Sequence, residues 1–103
     1  MQQIEKGDLV LAAAGRESGK RFFVLREENG FLFLADGKHR RVEAPKRKSR
    51  RHVRFLAHGA CPAARKIKSN QSITNSELRK ALAAFGEIGD QDQEVKTTWQ
   101  NPT

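Results

Sequence analysis

The chain lacks the residues that would tie it to an oxidising compartment or to a membrane. Of its 103 residues one is cysteine, Cys61, so no intramolecular disulfide can form, which agrees with a reducing compartment. No apolar run approaches the roughly 20 residues needed to span a bilayer, and MQQIEKGD at the start lacks the basic-then-apolar plan of a signal peptide. These absences predict a cytoplasmic protein. Tyrosine is missing and Trp99 is the single tryptophan, which leaves six phenylalanines as the main aromatic supply. The length has room for one domain with a modest core. Hydrophobic content of 37% beside 31% charged residues fits a small globular fold with polar tails, not a chain disordered throughout. Asn70-Gln71-Ser72 matches the glycosylation sequon, which carries no meaning without secretion.

Acidic residues are scarce in one stretch only. Residues 38–68 hold twelve Lys/Arg against one acid, whereas residues 1–37 hold five against six and residues 69–103 three against five. The net charge of +8 therefore comes from the middle third. There Lys38, Arg40 and Arg41 are joined through Val42-Glu43-Ala44-Pro45 to Lys46, Arg47, Lys48, Arg50 and Arg51, with Arg54 close behind. A solvated basic loop is the plain reading. Such density with a single acid is, however, the electrostatic footprint of a nucleic-acid binder. An anionic membrane surface is a poorer match, because Pro45 and the low apolar content of residues 38–51 argue against the amphipathic helix that lipid binding favours.

The apolar residues gather in short runs at Leu9–Leu11, Phe22–Leu25 and Phe31–Leu34, which read as strands. Asn29-Gly30 between the last two predicts a two-residue type I′ hairpin, since that turn needs positive φ at both central positions. Glycines bound the loop Gly15–Lys20, and Gly19 is expected at positive φ where the chain turns into the second strand. Arg40–Glu43 and His52–Leu56 read as further strands. Four or five strands in so few residues imply a barrel or tightly rolled meander. Residues 58–72 look like a connector in which Arg65–Lys68 adds an edge strand. Thr74 and Glu77 form a capping box, and Leu78, Ala81, Leu82 and Phe85 make one helical stripe over residues 73–86 that Gly86 can end. Consecutive apolar residues give the strands two faces to hide, so this stripe is expected to cover the outer one. Residues 87–103 are polar and acidic and are expected to be disordered, with Trp99 as a lone anchor.

The run of an apolar strand opened by Gly7-Asp8, a loop Ala14-Gly15-Arg16-Glu17-Ser18-Gly19-Lys20, a second apolar strand, and a third ending in Asp36-Gly37 before basic residues resembles the KOW motif. It is most similar to large-subunit ribosomal proteins of the L-fourteen-e family of archaea and eukaryotes. The resemblance covers roughly residues 1–57, and more weakly Ile73–Phe85. It implies a mainly β fold, a small SH3-like barrel of residues 1–57 that includes the basic arm 38–51, with one C-terminal α-helix packed on it. It also implies RNA binding, with ribosomal RNA as the target and ribosomal proteins as neighbours, and contacts to RNA from Arg16 and Lys20 of the loop.

Other chemistries fit poorly. Gly15 to Lys20 is one residue short of a P-loop, and Arg21 stands where Ser or Thr would bind Mg²⁺. His58 and Cys61 form one couple where a structural zinc site needs two, and Cys61 has no evident orienting partners for nucleophilic work. The chain is read as a non-enzyme without cofactor or metal. Phe22, Phe23, Phe31 and Phe33 are read as core in preference to a base-stacking platform. The competing functional class is an SH3-like protein-interaction module in transcription or translation, in which helix and tail would form the partner surface.

Overall fold

The computed structural model describes residues 3–95. Its strands are β1 (Leu9–Ala12), β2 (Arg21–Glu28), β3 (Phe31–Ala35), β4 (Lys46–Ser49) and β5 (Val53–Ala57), followed by helices α1 (Pro62–Lys68) and α2 (Asn75–Val95). Every strand pairing is antiparallel. The β2–β3 hairpin turns at Asn29 and Gly30 with φ of 52° and 83°, the double positive φ that a type I′ turn demands. The Glu27 carboxylate accepts the Gly30 N–H at 3.0 Å and holds the turn.

The strands follow the order β4-β3-β2-β1-β5, so the sheet is open, with β4 and β5 as its edges. Closure into a barrel was expected. The two edge strands are instead joined by a single 3-10 turn, Arg50–His52. That turn carries the chain from one edge of the sheet to the other, and no ladder pairs β4 with β5.

The pleat separates two cores. Val10, Phe22, Val24, Leu32, Leu34 and Val53 fill the concave side with Ile4 and Ala12. Leu9, Phe23 and Ala35 emerge on the other side and pack with Ala64, Ile67 and Leu78 from the helices. Burying a side chain of this size is worth about 1.5–3 kcal/mol, and both faces of the sheet contribute to its stability. The register shift between Val24 and Arg26 is a bulge at Leu25, which shares the helix-covered side with Phe23 as simple alternation requires; the extra residue turns Arg26 to that same side, over Phe33.

The stripe of α2 docks where its spacing predicts: Leu78 is fully buried, with Ala81, Leu82 and Phe85 partly buried around it. The capping box forms as well, Thr74 Oγ1 accepting the Glu77 N–H at 3.1 Å and Glu77 Oε1 accepting the Thr74 N–H at 2.9 Å.

Four expectations fail. Residues 37–44 are bends and turns and not a strand; the fourth strand lies later, at Lys46–Ser49, inside the supposed flexible arm. Arg65–Lys68 is the end of α1 and not an edge strand. Pro62 in its first turn lacks only an N–H that a helix start leaves unpaired anyway. Ala63, Ala64 and Ile67 then form its buried side, and the basic last turn suits the helix dipole. Helix α2 also continues past its expected end at Gly86, to Val95. Trp99 and residues 96–103 lie outside the described residues.

Asp8 joins the connector to the sheet. It is fully buried and accepts the backbone N–H of Glu5 at 2.9 Å and of Gly59 at 3.3 Å. His58 Nδ1 lies 3.4 Å from Oδ1, the oxygen that accepts the Gly59 N–H.

Candidate nucleic-acid interface

The loop between β1 and β2 and the basic segment meet at Glu17, a buried carboxylate. Arg40 donates to it through Nε at 2.9 Å and through Nη2. The Arg40 hydrogen bond holds the Glu17 carboxyl below its usual range despite opposing burial, and the charges of Arg40, Lys46 and Lys48 add to the effect. Lys48 is buried and donates Nζ to the Ala14 carbonyl at 2.9 Å. On β4 it stands opposite Leu32, on the concave side of the pleat, while its neighbour Arg47 faces out. Arg50 donates to the Ile4 carbonyl at 2.8 Å. Arg40, Lys48 and Arg50 thus tie the segment to the sheet. It is a built edge, not a free arm.

A groove of about 340 Å³ opens beside it, lined by Lys20, Arg21, Asp36, Lys38, His39 and Arg79 with Gly19 and Leu82. Its cations come from the end of the first loop, the start of β2, the bend after β3, and α2. Asp36 shapes the bend by accepting the N–H of Lys38 at 2.9 Å and of Arg40 at 2.8 Å, with His39 Nδ1 at 3.3 Å. Burial raises the Asp36 carboxyl, but these two N–H groups and His39 outweigh it and leave the carboxyl below its ordinary value. Its negative charge is therefore spent inside the turn. Arg79 Nη1 donates to the Gly37 carbonyl at 2.7 Å and locks α2 against the bend.

Among the sequence-predicted cations, the groove unites Lys20 and Lys38, both exposed. Arg16 is exposed on the loop, Arg51 on the 3-10 turn and Arg54 on β5, all outside the groove. Lys46 lies half-buried on β4. Arg41 pairs with Glu43 at 3.0 Å; hydrogen bonds from Asn75 and Arg41 bring the Glu43 carboxyl down to about 2. Arg21, His39 and Arg79 were missed. Arg21 directly follows Gly19-Lys20 and had a local signal. Arg79 had none, because only docking of α2 brings it to Gly37.

The phenylalanines divide. Phe22 and Phe23 are fully buried, as expected. Phe31 and Phe33 are only half-buried, and guanidinium groups cover them: Arg47 lies 4.4 Å over Phe31 and Arg26 lies 4.0 Å over Phe33.

Lys20 leads into β2 and not into a helix, so the loop offers no helix N-terminus to a nucleotide phosphate. Among the described residues no three His, Cys, Asp or Glu side chains come together as a metal site, and no helix is long and apolar enough to cross a membrane. Compared with protein-family models and with curated proteins, the chain matches none.

Proposed function

We propose that this chain is an RNA-binding protein that engages structured RNA, with ribosomal RNA as its target, in the cytoplasm. The observation that carries the reading is the convergence of Lys20, Lys38 and Arg79 from three elements on one groove whose single carboxylate is already engaged in its own turn. Cations so placed neutralise adjacent phosphates and release their counterions, while the locked bend sets register along the backbone. Structured RNA is recognised by such shape and phosphate contacts more than by base edges. The strand order, with a one-turn link between the edge strands, supports assignment to the KOW type of SH3-like fold that the Gly15–Lys20 loop resembles. The reading includes no catalytic role.

One feature favours a protein-interaction module instead. An apolar groove of about 520 Å³ runs between α2 and the start of α1, lined by Leu9, Phe23, Cys61, Ala81 and Phe85 among others. The two readings separate in a titration of purified ribosomal subunits across a salt series. Phosphate-dominated binding weakens steeply, its logarithmic slope falling by about 0.9 per duplex phosphate engaged or about 0.7 for a single strand. An affinity that survives high salt would overturn the RNA reading and favour the module.

A further inference from the structure

The groove handles phosphate; the exposed end of the sheet carries chemistry suited to bases. Phe31 and Phe33 stand on the same side of β3 as Ala35, because Leu32 and Leu34 between them enter the concave core. Ala35 is covered by helix residues. Phe31 and Phe33 lie beyond that cover, and their outer neighbours are arginines. Arg26, Phe33 and Arg47 form one cross-strand row over β2, β3 and β4, and Glu28, Phe31 and Ser49 form the next. Arg26 is steadied by Glu28, which accepts its Nε–H at 2.8 Å.

A guanidinium over a phenyl ring can be simply a way to cover apolar surface at an exposed site. Here two such pairs lie side by side on the sheet, two residues and so about 7 Å apart along the strand. Planar cations and rings alternating on a sheet surface are what unpaired bases stack on, whatever their sequence. The charge favours the same occupant. Arg47 belongs to the basic edge strand, with exposed Arg51 just beyond it, while Glu28 offsets only Arg26.

We propose that Phe31, Phe33, Arg26 and Arg47 form a stacking platform for unpaired nucleobases, so that the protein reads a single-stranded loop or end beside the helical RNA held in the groove. This rests on the RNA-binding reading, and the test separates the two. Phe31→Leu/Phe33→Leu keeps apolar volume but removes the rings, and Arg47→Lys keeps the charge but removes the plane. Each is titrated with a short single-stranded oligonucleotide carrying a fluorescent adenine analogue and with a duplex RNA, with thermal melts to show the fold is retained.

The double variant is expected to lose about ten-fold or more in single-strand affinity, together with the stacking-induced quenching, at an unchanged salt slope and with duplex affinity within about two-fold. Arg47→Lys is expected to lose part of the quenching. Single-strand affinity and quenching equal to the parent in both folded variants would overturn the platform and leave the groove untouched. Parent protein that binds neither RNA would overturn the RNA-binding reading itself.

Discussion

At the scale of single residues, two glycines with the same backbone sign carry different burdens. Gly19 has φ of +89° and an added Cβ would meet nothing within 4 Å. Gly37 has φ of +82°, but its Cβ would lie 2.2 Å from the Asn75 carbonyl oxygen. At Gly19 a side chain costs only backbone strain, about 1 kcal/mol at the low end for such positions. At Gly37 it must also push the start of α2 off the bend and loosen the Arg79 contact. Gly37→Ala is therefore expected to melt well below Gly19→Ala. For a domain of this size each kcal/mol lowers the melting temperature by about 4–8 °C. Equal melting of the two variants would refute the packing of the bend on α2. The sequence made Gly19 legible, because a glycine closing a loop before an apolar run implies positive φ. Gly37 was legible only as the end of a strand, since its constraint comes from a helix nearly 40 positions away in the chain.

At the scale of elements, legibility follows the range of the interactions that decide them. The β2–β3 hairpin, the capping box and the stripe of α2 are written in residues a few positions apart, and all three form as read. The edge strand β4 and helix α1 are not written that way. Lys46-Arg47-Lys48-Ser49 has no apolar residue, yet β3 offers it a free ladder and the concave side accepts the Lys48 stem, its ammonium finding the Ala14 carbonyl. Helix α1 is short enough that only docking of Ala63, Ala64 and Ile67 can sustain it. A basic run is thus partly framework and partly binding surface, and substitution sorts the two. Lys48→Gln is expected to destabilise the free protein by about 1–3 kcal/mol, the cost of leaving a buried hydrogen bond to a charged group unmade. Arg51→Gln, at an exposed position, is expected to stay within about 0.5 kcal/mol of the parent while lowering the salt slope of RNA binding. Matching urea-denaturation midpoints for the two would mean that β4 is held by its backbone alone.

At the scale of the whole molecule, the +8 charge makes the few carboxylates more important than their number suggests. Glu17 clamps the loop to Arg40 with Lys46 and Lys48 nearby, Asp36 builds the bend, and Glu77 caps α2 while accepting from Lys66 at 2.5 Å. Hydrogen bonds, led by that from Lys66, lower the Glu77 carboxyl, and Glu17, Asp36 and Glu43 are lowered too. A carboxyl whose folded pKa lies below its unfolded value of about 3.9–4.3 adds stability that is complete above that value and is lost as pH falls through the folded one. All four therefore act in the same direction, and protonating them leaves a more positive molecule whose cations repel one another. The melting temperature is expected to hold from neutral pH to about pH 5 and then fall steeply toward pH 2, the range set by those unfolded values and by Glu43 at about 2. Added salt should recover part of the loss by screening the repulsion among exposed cations, the Debye length shrinking to about 3 Å at about 1 M. Melts across this pH range at low and high ionic strength check both points. A flat profile down to pH 2 would show that the carboxylate contacts do not hold the loop, bend and helix together.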